Sequence, residues 1–204
     1  MFRRPSLAVC VLAFSLPAFG GKFNPALSIG DAAPVIEALP GIDGERHALA
    51  GPKETKVVVL AFTCNTCPYA VDHEDRLNAL AKSFKGKSVQ LLAINSNSDK
   101  TDDLDAMKAH AKEKRFAYPY LKDETGVVGK AFGATRTPEF VVLNEKREVV
   151  YLGAMDDDPD GEDVKQRYVE DAVVAALAGT APSVTETPPI GCGVKYPRER
   201  RRAE

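Results

Sequence analysis

Long apolar runs are missing from this sequence. The most apolar stretch, Leu7 to Phe19, falls short of the roughly 20 residues a membrane-spanning helix needs, and Pro17 interrupts it. Positive charge is not in excess either: Lys+Arg 27 against Asp+Glu 29 gives a formal net charge of −2, so no overall cationic field exists for a phosphate backbone, and nucleic acid is set aside as a partner. With 15 Gly and 14 Pro in 204 residues, neither a collagen-like chain nor wholesale disorder is indicated. No internal repeat is visible. What is present is 44% hydrophobic and 27% charged residues, enough for one domain with a substantial core. Cysteine is scarce, and the 4 present carry most of the information.

Met1-Phe2-Arg3-Arg4 is a basic lead into the Leu7–Phe19 run, the pattern of an export signal, and Ala18-Phe19-Gly20 supplies small residues three and one before a cut. Residues 1–20 therefore read as a signal peptide, 21–180 as the domain and 181–204 as a Pro/Gly-rich and then basic tail. A retained signal anchor is the alternative; cleavage leaves no stable membrane anchor and implies a periplasmic or secreted protein. Cys10 leaves with the signal, because Val9 and its early position do not suit lipidation. Cys64, Cys67 and Cys192 remain, in a compartment that permits disulfides.

Lys56 to Phe62 is a continuous aliphatic run, the mark of a strand buried on both faces. Cys64-Asn65-Thr66-Cys67-Pro68 follows at once, and Ala70, Leu77, Leu80, Ala81 and Phe84 then recur at helical spacing, with Pro68 suited to a first turn. Val89 to Ile94 is a second buried strand, which makes a βαβ unit. Thr101-Asp102-Asp103 caps a helix running to Phe116, Asp123 to Phe132 holds a short one, Glu139–Leu143 and Val149–Gly153 form a hairpin, and Val164 to Leu177 a last helix. Val35 to Leu39 and its turns suggest short edge strands, whereas order from Thr180 onward is doubtful.

Two cysteines separated by Asn65 and Thr66 make a small, reversible disulfide rather than a loop-spanning staple. Placing Cys64 at the helix N-terminus makes it the candidate nucleophile, with Cys67, deeper in, as the resolving thiol. A zinc or copper site from Cys64, Cys67, His73 and Cys192 lacks the usual second ligand pair, so no metal is assigned. His73, Glu74 and Asp75 are read as an exposed helix face rather than a base.

Arg136-Thr137-Pro138-Glu139 stands directly before a strand. A βαβ unit with Cys-x-x-Cys-Pro followed by Thr-Pro before the next strand resembles the thioredoxin fold, an α/β architecture with a central mixed sheet flanked by helices. The resemblance implies a cis peptide at Pro138 facing the cysteines, and a Thr137 backbone that pairs with a substrate strand. Gly30-Asp31-Ala32-Ala33-Pro34 with Asp43-Gly44 is similar to the opening of the redoxin branch. Thr63-Cys64-Asn65-Thr66-Cys67-Pro68-Tyr69, Asn95-Ser96-Asn97, Met155-Asp156-Asp157 and Gly191-Cys192-Gly193-Val194-Lys195 resemble its peroxiredoxin-like group. In that group Cys67 aligns with the peroxidatic cysteine. This chain departs from a true peroxiredoxin by Cys64 three residues before and Leu60 seven before, and Arg136 is at best a displaced activating arginine. It departs from many thioredoxins by Val58 where an acid is buried.

Asp156-Asp157-Asp158-Pro159-Asp160-Gly161 matches half a calcium loop, but Arg167 stands where the bidentate Glu belongs, so a solvated acidic turn is preferred. Cys192 is either a third redox thiol or a tail cysteine, and Arg198 to Arg202 is a solvated tail. The resulting expectation is an exported thiol–disulfide oxidoreductase cycling Cys64 and Cys67, with Thr137 and Pro138 shaping the substrate site and no cofactor. Its partners are a protein or small-molecule disulfide or thiol and an electron donor of unspecified identity. The alternatives are a thiol peroxidase acting through Cys67, and a non-catalytic metal-binding or structural-disulfide module.

Overall fold

A computed structural model describes residues 20–35, 37–48 and 52–198. The segment through Phe19 that was read as an export signal, with Cys10, and the run from Glu199 onward lie outside them. No helix among the described residues is long and apolar enough to cross a membrane.

The short strands β1 (Leu39–Pro40) and β2 (Arg46–His47) pair antiparallel at the edge. The aliphatic run becomes β3 (Val57–Phe62), all six residues buried. It is followed by α1 (Pro68–Asp72), α2 (Glu74–Ser83) and β4 (Val89–Asn95). A 3-10 turn, Lys100–Asp102, leads into α3 (Leu104–Lys114), and then come β5 (Tyr120–Lys122), α4 (Val127–Ala131), β6 (Arg136–Thr137), β7 (Glu139–Leu143), β8 (Val149–Gly153), α5 (Tyr168–Leu177) and β9 (Cys192–Gly193). The main sheet runs β5-β4-β3-β7-β8. β3 is parallel to β4 and antiparallel to β7, which makes the sheet mixed, as expected.

Because successive strand residues point to opposite faces, β3 feeds two cores. Val57, Val59 and Ala61 pack with Leu77, Leu80, Met107, Val169 and Val173 from α2, α3 and α5. Val58, Leu60 and Phe62 pack on the other face with Val128 and Phe132 beside α4. Burying each of these larger apolar side chains is worth about 1.5–3 kcal/mol, so the strand that leads to Cys64 is firmly anchored.

Three details differ from the sequence expectations. α5 begins at Tyr168 rather than Val164, because the Asp157 carboxylate takes the N–H groups of Lys165 and Gln166, both at 2.9 Å, and holds them out of the helix. Asp103 alone caps α3, accepting from Ala106 N–H at 2.9 Å; Asp102 turns inward and is fully buried. The segment after Thr180 is not an unstructured tail. Through Lys195 and Tyr196 it lies against the domain, and β9 pairs antiparallel with β6.

Candidate active site

Cys64 leaves β3 two residues after its end, and Cys67 sits immediately before α1. Both are 3% exposed, and Cys192 packs against the pair. The Thr137-Pro138 peptide is cis, as the resemblance implied, and Thr137 contacts both sulfurs of the motif. Its hydroxyl lies 3.4 Å from Cys64 Sγ, and its carbonyl accepts from the Cys67 thiol at 2.9 Å. All three sulfurs are free thiols.

The structure does not place Cys64 at the helix N-terminus, where the sequence reading put it. The helix starts at Pro68, so it is Cys67 whose carbonyl accepts the first-turn N–H of Val71, at 3.0 Å, while Cys64 stays in the preceding loop. Burial pushes the Cys64 thiol above its ordinary value, and the neighbouring Asp102 carboxylate adds to that, outweighing a hydrogen bond to Thr137. Burial acts on Cys67 in the same sense, but hydrogen bonds from the Cys192 thiol, the Ala70 backbone and Thr137 favour its charged form and hold it below the ordinary value. The Cys192 N–H adds a further contact at 3.4 Å. Its own thiol, which supplies a proton to Cys67, is pushed up to about 11. Of the two motif sulfurs, Cys67 is therefore the one whose surroundings favour the charged form.

A polar network fixes the motif loop from below. Asp102 accepts from Asn65 N–H and Asn95 Nδ2, each at 2.8 Å, and from Asn97 Nδ2 at 3.2 Å. Tyr120 Oη donates to Asn65 Oδ1 at 3.0 Å. Glu139, 2% exposed, accepts from the Thr135 and Arg136 N–H groups at 2.8 and 3.0 Å and so braces the turn that carries Pro138. Burial raises its carboxyl. Sequence reading missed both acids. A carboxylate within a few residues of a Thr-Pro turn is the only trace Glu139 leaves, and Asp102 passes for a helix cap.

The expected exposed face holds for Asp75 only. His73 and Glu74 are 4% and 5% exposed. His73 Nδ1 lies 2.6 Å from the Tyr69 carbonyl, and burial, with the Arg76 charge, lowers its pKa. Glu74 meets His110 and, at 3.9 Å, Lys114. Arg76 holds Asp156 through both carboxylate oxygens at 2.7 and 2.6 Å and donates to the Asp158 and Pro159 carbonyls. The acidic loop is thus tied to α2, and Asp156 is the residue that ties it.

Residues 28–168 match the redoxin family. The chain belongs to the redoxin family. This redoxin is 32% identical to a hypothetical protein from Sinorhizobium meliloti 1021, over 86% of this chain and 98% of that one, with a TM-score of 0.79. A peroxidoxin from Mycobacterium tuberculosis is similar at 24% identity over 74% and 94% of the two chains, TM-score 0.55. A thiol-disulfide oxidoreductase from Bacteroides fragilis is similar at 20% over 60% and 89%, TM-score 0.52. Both share the thioredoxin-like fold of this redoxin. No curated protein matches the chain. The family match ends at residue 168, before β9, so the strand that brings Cys192 to the redoxin centre is outside it.

Proposed function

We propose that this redoxin is an exported thiol–disulfide oxidoreductase that cycles Cys64 and Cys67 between dithiol and disulfide. The observation that carries the reading is the pair itself: two free thiols packed together beside Thr137, the surroundings of Cys67 favouring charge and those of Cys64 disfavouring it. The Cys67 thiolate attacks a substrate disulfide, a mixed disulfide forms, and one substrate thiolate leaves and takes a proton. Cys64 then attacks the Cys67 sulfur, closing the pair and releasing the second substrate thiol. A thiol donor reverses the sequence and restores the dithiol. The basic lead of Met1 to Arg4 before an apolar run supports export.

Peroxide reduction at Cys67 is the second reading, favoured by the same thiolate. Against it, the Arg136 guanidinium reaches outward to the Gly191 carbonyl at 3.5 Å rather than serving the sulfur, so charge stabilisation of a leaving oxygen from that residue is missing. Reduced protein offered hydrogen peroxide and a protein disulfide together, with rapid quench and thiol trapping, separates the two. The expected result is preferential loss of the disulfide, with a mixed disulfide on Cys67 accumulating in the Cys64→Ser/Cys192→Ser double variant. Preferential loss of peroxide with sulfenic acid on Cys67 overturns the proposal.

A further inference from the structure

The centre contains more sulfur than a dithiol cycle uses. Cys192 arrives from the far end of the chain, and the segment around it is built into place. Antiparallel pairing sets Thr137 against Cys192 and Arg136 against Gly193. Val194 N–H donates to the Thr135 carbonyl at 3.1 Å, Lys195 N–H to Asn97 Oδ1 at 2.8 Å, and Tyr196 Oη to the Ala134 carbonyl at 2.7 Å. Gly191 makes the approach feasible. Its φ is +154°, and a Cβ built there would lie 2.1 Å from the Thr137 carbonyl oxygen.

This register delivers the cysteine to one particular sulfur. Cys192 N lies 3.4 Å from Cys67 Sγ, and an N–Cα bond of about 1.46 Å puts the Cys192 Cα within about 5 Å of that sulfur. The Cys192 side chain also packs against Cys64 and Cys67, so the strand brings this thiol up to the pair. We propose that Cys192 is a third exchanging thiol, and that β9 holds it in position to take the Cys67 sulfur away from Cys64.

The step rests on the exchange reading, which supplies the Cys64–Cys67 disulfide. The Cys192 thiolate attacks the Cys67 sulfur. The Cys67–Cys192 bond forms, the Cys64–Cys67 bond breaks, and the electron pair leaves on Cys64, which takes up the proton that Cys192 released. No net oxidation occurs. The electrostatics change in the required direction between the two states. In the reduced centre the hydrogen bond to Cys67 is the largest influence keeping Cys192 protonated, followed by burial and the charge on Cys67. Once Cys67 is in a disulfide, the first and third of these are gone and Cys192 can ionise. Cys64, with burial and Asp102 both favouring its neutral form, is the thiol suited to end protonated.

The test follows the linkage directly. Reduced wild-type protein and Cys64→Ser are treated with oxidised glutathione, trapped in acid and mapped as peptides without reduction. The expected wild-type map contains Cys67–Cys192 peptides beside Cys64–Cys67 ones. In Cys64→Ser, glutathione adds to Cys67 and is then expelled as the Cys67–Cys192 bond forms. A wild-type map with Cys64–Cys67 alone, together with a Cys67–glutathione adduct that persists in Cys64→Ser, overturns the role of Cys192 and leaves the exchange reading standing. A Cys67 thiol left free in both proteins, with neither glutathione nor another cysteine bonded to it, overturns both. The wild-type arm needs no substitution, so a misfolded variant does not decide the outcome.

Discussion

The motif corner between β3 and α1 and the strap around β9 meet at the same sulfur, yet different forces hold them. The corner hangs from a strand whose six residues are all buried, with apolar cores on both faces. The strap's residues from Gly191 to Pro197 are half-buried or exposed, and it is fastened by separate hydrogen bonds to Thr135, Asn97 and Ala134. Apolar burial is cooperative and large, whereas a single neutral hydrogen bond is worth about 0.5–1.5 kcal/mol net. The difference teaches that one side of the centre is a platform held by continuous burial and the other a strap held by separate bonds.

Damage to the platform gives the largest expected effect. Phe62, 1% exposed and against Phe132 at 5.8 Å between ring centres, ends β3 just before the motif. Phe62→Ala should lower stability by about 3–5 kcal/mol in urea unfolding, and strap and core should lose hydrogen-exchange protection together. A loss under ~1 kcal/mol would break the contrast.

A smaller effect sharpens it at the sulfurs. Followed by thiolate ultraviolet absorbance in single-cysteine-removed variants, Cys67 should ionise below the usual thiol pKa of about 8.5 and Cys64 above it. Because the Cys192 thiol is a main stabiliser of the Cys67 thiolate, Cys192→Ala should move the Cys67 titration upward and leave that of Cys64 above the usual value. Coincident titrations would show that the strap contributes nothing to the thiolate.

The least disruptive change is Tyr196→Phe, which removes only the hydroxyl bonded to Ala134. Global stability should fall by no more than about 1 kcal/mol, while the Val194 amide loses exchange protection. Equal loss across β3 would mean that strap and platform are one cooperative unit.

The same contrast explains what could be read in advance. Val57 to Phe62, the helical recurrence of Leu77 and Leu80, and the Cys-x-x-Cys-Pro corner are local patterns, and each signals its own element. The resemblance also pointed to Asn95-Ser96-Asn97, Asp156 and Gly191 to Lys195. The structure supplies their physical reason: Asn97 links Asp102 to the strap, Asp156 is clamped by Arg76, and Gly191 lets the strap come close. What stayed hidden depends on partners distant in sequence. β9 is two residues long and has no periodicity, and its pairing with Arg136 and Thr137 leaves no local trace. The choice between Cys64 and Cys67 turned on where the helix begins and on a hydrogen bond from Cys192, and neither is a property of the motif's spacing.

Gly191 bears on heredity as well as on geometry. Gly193 has open space around it, and the remaining residues of the strap present side chains that can be exchanged for ones of similar shape. At Gly191 the functional property is the absence of one, and even the smallest replacement, a methyl group, would act as a wedge against the Thr137 carbonyl and spread the strap from the platform. Gly191 is therefore the position least free to drift, and a single nucleotide change there could disconnect the last thiol from the first two while every cysteine remained in place.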